Sequence, residues 1–313
     1  MTDWKPSASM DMLQKRAALL ATIRAFFAEK KVLEVDVPAI TATAVTDINI
    51  DSLQVGFSGC AGFAGCLITS PEFYMKRLLA AGSGDIYSLA HAFRVDESGT
   101  RHQREFSLLE WYRVGWDLSA LMQEVCELVQ GVVAGELRHI TYRQAFLDCL
   151  NLDPFCASLA ELKQCAQEKL SPAFDGDERD IWLDLLFSHL VEPALRGVVL
   201  VADFPASQAA LAQIKNDTYG NAVAARFELY IDGMEIANGY QEELCAETLR
   251  KRFQCDRAVR QQRGQVVPAI DEQFLAAMSA GLPACAGVAL GVDRLLMAVT
   301  GEKTIRAVVP FAV

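Results

Sequence analysis

The dipeptide Asp232-Gly233 constrains the fold most, because it predicts a tight hairpin within residues 227–237. Asp-Gly favours a type I′ turn, whose twist matches that of two flanking antiparallel strands. A second antiparallel pair is predicted from the alternating apolar residues at 85–95 and 105–116, which a polar connection at 96–104 joins. Because these strands pair with their sequence neighbours and do not alternate with helices, the sequence favours an α+β fold with an antiparallel sheet.

Helical segments lie apart from these strands. Residues 10–31 are predicted to form an amphipathic helix. Its apolar face consists of Leu13, Ala17, Leu20, Ile23 and Phe27. A second helix should span 70–82, with a capping hydroxyl and a proline at its start and a glycine at its end. Residues 158–191 are also predicted to be helical, and a strand at 286–290 leads into a helix at 292–299.

Composition excludes several classes of protein. With 52% hydrophobic residues the chain can bury a sizeable core, and no Pro-, Gly- or Ser-rich linker divides it, so we expect one domain over 1–313. The net charge of -11 argues against a broad nucleic-acid interface. Nine scattered cysteines without a Cys-x-x-Cys pair predict reduced thiols, not zinc or disulfides. No apolar run reaches the roughly 18 residues of a membrane span, and the start lacks signal-peptide features, so we expect a cytoplasmic protein.

The strand at 105–116 carries a carboxylate among apolar and aromatic side chains. Residues two apart share a face, so Phe106, Glu110 and Tyr112 point the same way. By itself this pattern suits an edge strand with Glu110 in solvent. Arg94 on the preceding strand favours the other interpretation, since a buried acid near an arginine and an aromatic ring is typical of a nucleotide or amino-acid pocket.

The predicted hairpin brings two acids together. If Asp-Gly forms the turn, residue 230 pairs with 235 and 228 with 237, which makes Glu228 and Glu235 diagonal neighbours about 7 Å apart. A Mg²⁺ ion carried by substrate phosphates would relieve their repulsion, and a solvated surface would tolerate it equally well.

Three further polar side chains follow on the second strand. Asn238, Tyr240 and Glu242 have the opposite parity from Glu235, so in a regular strand they point to the other face. A bulge or bend near Gly239 is needed if all four are to face one pocket.

The last predicted strand has one face that is almost bare, because Gly287, Ala289 and Gly291 lie on it. Such a face is expected where a ligand lies against the backbone, although close helix packing explains it equally well. Arg294 falls in the first turn of the next helix, where the helix dipole disfavours a cation. An anion bound there would offset that cost, as would a simple ion pair with Asp293.

Five ordered segments resemble the class II aminoacyl-tRNA synthetases, with lysyl-tRNA synthetase as the closest family. Pro38, FRVDESGTRHQREFSLLEWY at 93–112 and GVALGVDRLLM at 287–297 are similar to the three signature motifs of that class. TSPEFYMKRL at 69–78 resembles the family segment PELYLKRL, and RFELYIDGMEIANGYQEE at 226–243 resembles RFEFFIGGREIGNGFSE. The resemblance extends from the N-terminal helix nearly to the C-terminus. It implies an antiparallel sheet flanked by helices and a homodimer built around the motif that contains Pro38.

The resemblance also implies a role for each matching residue. Arg94 would hold the α-phosphate of ATP and the reacting carboxylate, Arg294 would hold the γ-phosphate, and both would be catalytic. Phe106 would stack on adenine. The other ATP-binding positions would be Asp96, Arg101, His102, Gln103, Glu235, Ile236 and Gly291. Glu228 and Glu235 would carry Mg²⁺. The amino acid would be surrounded by Ser70, Pro71, Glu72, Glu110, Tyr112, Asn238, Tyr240, Glu242 and Ala289.

The implied activity follows from two differences between this chain and the lysyl-tRNA synthetases: a missing domain and a distinctive segment. The segment before Pro38 is too short for the anticodon-binding domain of lysyl-tRNA synthetases, so we expect that domain to be missing. A catalytic core alone, with DFPASQAALAQI at 203–214, resembles the stand-alone paralogues that attach (R)-β-lysine to a lysine of bacterial elongation factor P. We therefore expect an ATP-dependent ligase that activates (R)-β-lysine or lysine as an adenylate and has elongation factor P as its protein substrate. Glu72, Glu110 and Glu242 would meet the two ammonium groups of a diamino acid, whereas a neutral amino acid would leave them unpaired.

Three departures from the synthetase pattern affect the expected site. Asp96 stands where the family has Glu, and Gln103-Arg104 replace Asn-Pro. Ala289 replaces a glycine of the family string GLGIGIDR, and a difference of this size is worth roughly 1 to 3 kcal/mol of discrimination. We expect the extra methyl group to favour (R)-β-lysine over lysine.

Two other functions stay open. A minimal enzyme that charges tRNA is disfavoured by the missing anticodon domain and by the net charge of -11. A regulatory paralogue that binds an amino acid without catalysis is disfavoured because Arg94, Glu228, Glu235 and Arg294 are all retained.

Overall fold

The structure, a computed structural model, describes residues 4–56, 64–95 and 99–312. Within these ranges the helices are α1 (Met10–Glu29), α2 (Glu72–Ala80), α3 (Leu118–Gln130), α4 (Tyr142–Leu150), α5 (Leu159–Leu170), α6 (Arg179–Leu186), α7 (Ala246–Gln262), α8 (Glu272–Gly281) and α9 (Val292–Thr300). The strands are β1 (Leu33–Glu34), β2 (Ile40–Thr41), β3 (Gln54–Gly56), β4 (Ala64–Leu67), β5 (Ile86–Phe93), β6 (Glu105–Val114), β7 (Leu137–Thr141), β8 (Val198–Pro205), β9 (Ile214–Asn216), β10 (Ala222–Ile231), β11 (Met234–Gln241) and β12 (Cys285–Gly291). Residues 134–241 form one compact unit, and the remaining described residues form another, which we call the first unit.

In the first unit, a sheet runs in the order β1-β5-β6-β12. β5 and β6 pair antiparallel, as predicted, and β12 pairs antiparallel with the other side of β6. β6 is therefore an interior strand, and the interpretation that left Glu110 on a solvent-exposed edge is wrong: its side chain is 2% exposed. A small antiparallel sheet, β2-β4-β3, belongs to the same unit.

Helix α1 packs on this sheet through Phe27, whose ring stacks on Tyr87 of β5 at 4.4 Å and meets Trp111 of β6 edge-on at 5.3 Å. The buried residues of the helix are Met12, Leu19, Ile23 and Phe27. The predicted face is wrong at Ala17, which is exposed. The pattern misled because Arg16 occupies a position on the buried stripe, where its side chain is 13% exposed and its guanidinium pairs with Asp293.

In the unit of residues 134–241, the sheet runs in the order β11-β10-β8-β7, and β9 also pairs with β10. Its pairings are antiparallel except between β7 and β8. The apolar core includes Phe146 of α4, Trp182 of α6 and Tyr230 of β10. The predicted helix over 158–191 is interrupted, because α5 ends before Ser171, which has a left-handed backbone.

The β10–β11 turn has φ values of 48° at Asp232 and 68° at Gly233, which confirms the predicted type I′ hairpin. A Cβ at Gly233 would lie 2.7 Å from the backbone oxygen of Glu192. Only glycine satisfies both the positive φ and this close approach.

The register of this hairpin contains a bulge that decides which side chains share a face. Tyr230 pairs with Glu235, as predicted, but Glu228 pairs with Asn238, one residue further along than predicted. Ile236 is therefore the extra residue of a β-bulge. Because cross-strand partners lie on the same face, Glu228, Tyr230, Glu235 and Asn238 share one face. The structure therefore contains the bulge that is needed to bring these side chains onto one face. It lies at Ile236, before the predicted position near Gly239.

Antiparallel pairing dominates both units and helices flank both sheets, which confirms the α+β prediction. In the described part of the chain, the cysteines are free thiols, and Cys60 lies outside it. None of the helices in that part is long and apolar enough to cross a bilayer.

Candidate active site

Glu110 is a buried carboxyl group in the middle of the first unit's sheet. Its two oxygens accept hydrogen bonds from Ser70 Oγ and from Tyr112 OH, each at 2.6 Å. Burial, followed by the nearby charge of Glu72, raises its pKa to about 8, against the lowering effect of the two hydroxyl donors and Lys76. A carboxyl group with this pKa is mostly protonated at neutral pH and ionises when a cation binds beside it.

Ser70 and Pro71 connect this carboxyl group to the start of α2. The helix begins at Glu72, and Ser70 Oγ accepts the backbone N–H of Glu72 at 3.0 Å. The predicted cap is wrong in position, because Pro71 and not Ser70 is the N-cap of α2 and no side chain caps the helix. The Ser70 hydroxyl instead links the N–H of Glu72 to the carboxyl group of Glu110, to which it donates. Pro71 fixes the backbone between the two contacts.

Lys76 is the cation of this pocket, and it was given no role in advance although it belongs to the segment TSPEFYMKRL. Its side chain is fully buried, and Nζ lies 2.5 Å from Glu72 Oε1 and 2.6 Å from Glu242 Oε2. Burial raises the pKa of Glu242 to about 7, against the lowering effect of Lys76. The spacing of Glu72 and Lys76 by one helical turn could have suggested their ion pair, but the pairing with Glu242 depends on the tertiary fold.

Gly287 explains part of the bare face of β12. A Cβ at Gly287 would lie 2.3 Å from Tyr112 Cε1 and 2.6 Å from Glu242 Oε1. The absence of a side chain at Gly287 therefore leaves room for Tyr112 and Glu242, two side chains of the pocket. This reason differs from the two expected from the sequence, which were a bound ligand and close helix packing. Gly291 differs, since a Cβ there would only touch the stem of Arg294 at 3.8 Å.

Ala289 lies directly opposite Glu110 in the β6–β12 register. Cβ atoms of such cross-strand partners are about 4.5 to 5.5 Å apart and lie on the same face. The methyl group of Ala289, which is expected to favour (R)-β-lysine, therefore borders the buried carboxyl group of Glu110.

Arg94 and Phe106, expected to serve the nucleotide, lie together in the first unit. The guanidinium carbon of Arg94 is 5.1 Å from the centre of the Phe106 ring. Arg94 Nε also donates to the backbone oxygen of Thr69 at 3.4 Å, beside the Ser70 segment. A cation and an aromatic ring therefore lie together next to the amino-acid pocket.

Arg294 lies in the first turn of α9, and its Nε donates to the backbone oxygen of Arg101 at 3.4 Å. The carboxylate of Asp293 is engaged elsewhere, because Arg16 lies 2.5 Å from Oδ1 and the backbone N–H of Ser107 donates to Oδ2 at 2.8 Å. An ion pair with Asp293 therefore does not explain the arginine at this helix start, and the anion-binding interpretation gains support.

Besides Arg94, the connection between β5 and β6 contains four predicted ATP-binding residues. Asp96 lies outside the described residues. Arg101 and His102 are exposed, whereas Gln103 is buried and donates through Nε2 to the backbone oxygen of Phe311 at 3.4 Å. Among the described residues, Oε1 of Gln103 has no hydrogen-bond partner. A ligand donor could satisfy this oxygen.

In the second unit, Glu228 is a buried acid held by two neighbours on the same strand. Arg226 donates to its Oε1, and Tyr230 OH donates to its Oε2. Arg226 also donates through Nε to Asn238 Oδ1 at 3.2 Å and through Nη1 to the backbone oxygen of Gln208 at 2.8 Å. Like Lys76, Arg226 was not anticipated, although its position two residues before Glu228 places it on the same face of the strand.

Glu235 lies on the same face as Glu228, and the bulge at Ile236, whose own side chain is buried, brings Asn238 and Tyr240 onto that face as well. Burial raises the pKa of Glu228, and the charge of Glu235 contributes in the same direction, which places the two acids in electrostatic contact. The described residues include no group of three or more His, Cys, Asp or Glu that could hold a metal ion. Two carboxylates on one face are nevertheless oxygen donors of the kind that Mg²⁺ takes when it arrives with phosphates.

Comparisons with known proteins agree with these features. The sequence pattern of the tRNA synthetases class II (D, K and N) matches residues 1–313. A protein of Vibrio cholerae serotype O1, named elongation factor P--(R)-beta-lysine ligase, is 48% identical over 319 residues, which cover 99% of this chain and 98% of the relative. Proteins with the same name from Pectobacterium carotovorum and Pseudoalteromonas translucida are each 45% identical, over 100% and 99% of this chain and 98% of each relative.

Proposed function

Because this chain belongs to the class II tRNA synthetase family, we propose that it is an ATP-dependent ligase that activates (R)-β-lysine or lysine and transfers it to a lysine side chain of elongation factor P. The names of relatives that match over nearly their whole length support both substrates. The observation that carries the proposal is the buried acidic pocket of the first unit, because its charge fits a diamino acid.

The pocket contains more negative than positive charge. Glu72, Glu110 and Glu242 surround one ammonium group, that of Lys76, so three acids minus one cation leave two negative charges when all are ionised. A diamino acid supplies two ammonium groups. A neutral side chain would leave a buried carboxylate unpaired, at a cost of about 1 to 3 kcal/mol or more.

The first step joins two anions, the carboxylate of the amino acid and the α-phosphate of ATP. Catalysis therefore consists of alignment and charge neutralisation, without a protein nucleophile. Arg94 would hold the α-phosphate and the reacting carboxylate, Arg294 would hold the γ-phosphate, and Phe106 would stack on adenine. The contact between Arg94 and Phe106 and the helix-start position of Arg294 support these roles. The products are an aminoacyl adenylate and pyrophosphate.

Glu228 and Glu235 would hold Mg²⁺, which when bound neutralises phosphate charge and orients the triphosphate. The donor chemistry fits, since both ligands are carboxylates. Arg226 and Tyr230 each donate to one oxygen of Glu228, which fixes the carboxylate and leaves a lone pair on each oxygen for the ion.

In the second step, the amine of the acceptor lysine attacks the adenylate carbonyl, so that an amide forms and AMP leaves. We propose that both units serve this reaction as one catalytic domain, in a cytoplasmic homodimer that does not use tRNA. Exposed apolar residues near Pro38, namely Leu33 at 56% and Ile40 at 37%, support the dimer contact there.

A pyrophosphate-exchange assay tests the first step. We expect ATP-dependent exchange with (R)-β-lysine or lysine and none with norleucine, which has the length of lysine but lacks the second ammonium group. Exchange with neither diamino acid would contradict the ligase and favour a non-catalytic paralogue.

The acceptor is tested separately with labelled amino acid. We expect label on purified elongation factor P and none on a variant whose acceptor lysine is replaced by arginine. Label on tRNA in place of the protein would indicate a minimal tRNA-charging enzyme.

A further inference from the structure

Lys76 is the most completely buried cation among the described residues of the first unit, and the reaction described above gives it no role. Its side chain is 0% exposed, and its ammonium group bridges Glu72 and Glu242 at 2.5 and 2.6 Å. A buried ammonium costs several kcal/mol of desolvation, and apolar residues in its place are often neutral or stabilising for the fold. Stability alone is therefore a weak reason for a lysine at this position.

The two acids that Lys76 bridges differ in what else holds them. Glu72 is partly exposed and lies in the first turn of α2, where the helix dipole also favours its charge. Glu242 is 1% exposed, and its Oε1 lies so close to Gly287 of β12 that a Cβ there would be only 2.6 Å away. Lys76 is thus the cation that compensates the buried charge of Glu242.

We propose that Lys76 is a positioning and specificity-determining residue, whose ammonium group fixes Glu242 in place and favours its ionised form so that the pocket accepts a doubly cationic amino acid. This inference rests on the proposed function, since it concerns the amino-acid site of the same reaction. It adds a residue that would not touch the substrate but sets how many negative charges the substrate meets.

Charged and titratable groups face Glu242 from every element packed around it. Lys76 and Glu72 belong to α2, Tyr112 belongs to β6, and Cys285 belongs to β12. Of these, only Lys76 favours the ionised form of Glu242, because Glu72 opposes it and the phenol and thiol are neutral. Without Lys76, the pKa of Glu242 would rise above its value of about 7, so at pH 7 the carboxyl group would be mostly protonated and would offer the substrate one charge fewer.

Lys76→Met tests this, because methionine keeps an unbranched apolar stem and removes the charge. At pH 7 we expect the KM for the diamino acid to rise at least tenfold while the KM for ATP changes less than threefold. We also expect the loss to shrink as pH rises, with the acid limb of the pH profile moved upward by about one unit or more, because a higher pH ionises Glu242 without its cation. A merely structural lysine would not produce recovery at high pH.

Arg113→Met is the matched control. Arg113 is also buried and also bridges two acids, Asp85 and Glu124, at 2.9 and 3.2 Å, but it lies outside the amino-acid pocket. We expect it to lower the melting temperature by a similar amount and to leave the KM for the amino acid and its pH profile as in the wild type.

A second comparison covers the case in which Lys76→Met does not fold. Glu242→Gln removes the buried charge, so adding Lys76→Met to it should change the KM for the amino acid less than threefold. An unchanged KM and pH profile in Lys76→Met, or a further tenfold loss in the double variant, would overturn the role of Lys76. A wild-type enzyme that shows no exchange with either diamino acid would instead overturn the proposed function, and the inference with it.

Discussion

Each unit buries acidic side chains, but the two groups are neutralised differently. In the second unit, Glu228 accepts from Arg226 and from Tyr230, so donors of the chain engage both oxygens. In the first unit, Lys76 bridges Glu72 and Glu242, while Glu110 has only hydroxyl donors and a pKa of about 8. The first group therefore has one cation, Lys76, for three acids, whereas in the second group Arg226 pairs directly with Glu228. We propose that the first group recognises a cationic molecule and that the second holds a carboxylate in a fixed orientation.

Glu228→Gln should produce the largest effect on activity. It removes a charge from the Glu228–Glu235 pair without changing its shape, so we expect pyrophosphate exchange to fall by about 100- to 1,000-fold, as for loss of one electrostatic group in an active site. Binding of the diamino acid, measured by calorimetry without ATP, should change less than threefold. A large loss of amino-acid affinity would contradict the division between the two groups.

The hairpin shows what the sequence could predict and what it could not. Asp232-Gly233 predicted the turn because positive φ at both positions restricts the choice of residues. The bulge was predicted too late in the strand: at Gly239 it would leave Asn238 on the opposite face, whereas the extra residue Ile236 brings Asn238 onto the face of Glu228. The parity argument thus predicted that Glu228 and Glu235 share a face and that a bulge is needed for Asn238, but not where the bulge lies.

The amino-acid pocket depended more on tertiary structure. Alternation in 105–116 grouped Phe106, Glu110 and Tyr112 but left open whether the strand lay at an edge. Lys76 and Arg226 were missed because a single lysine or arginine is usually a solvated surface residue. Only the packing of distant segments makes each the partner of a buried acid.

Gly287→Ala should damage the first group alone. Its Cβ would overlap the ring of Tyr112 and approach Glu242 Oε1, so the pocket must shift. We expect the KM for the amino acid to rise about 10- to 100-fold, consistent with 1 to 3 kcal/mol of overpacking. Gly291→Ala is the control, because its Cβ meets only ordinary contacts and should alter the same KM less than threefold. Equal effects of the two substitutions would show that Gly287 is not needed for the pocket.

Ala289→Gly should have a smaller effect, restricted to specificity. Removing the methyl group beside Glu110 enlarges the pocket where the α and β isomers of lysine differ in the placement of one ammonium group. We expect the ratio of kcat/KM for (R)-β-lysine to that for lysine to fall about tenfold, near the lower end of the range for one carbon. An unchanged ratio would assign isomer preference to another position.

The smallest expected effect is the release of a proton when the amino acid binds. Glu110 is mostly protonated at pH 7, so a cationic amino acid that binds beside it should displace its proton. Calorimetry at pH 7 in buffers of different ionisation enthalpy should detect release of up to about one proton per diamino acid bound. Release should decrease in Glu110→Gln, which leaves only the contribution of Glu242 with its pKa of about 7. It should also decline above about pH 9, where the free enzyme has already lost the proton of Glu110.

The same group predicts how stability depends on pH in the absence of substrate. Its folded pKa of about 8 exceeds the ordinary value of 4.5, so the folded state binds the proton more tightly than the unfolded state. The stabilisation is fully present below pH 4.5 and is lost as the pH rises through about 8. The melting temperature of the substrate-free protein should therefore fall across this range, and Glu110→Gln should flatten that fall.

A diamino acid should raise the melting temperature most at the alkaline end, because there it supplies the positive charge that the ionised pocket lacks. Equal stabilisation at all pH values would mean that Glu110 is already paired before the substrate arrives, and the contrast with Glu228 would then disappear.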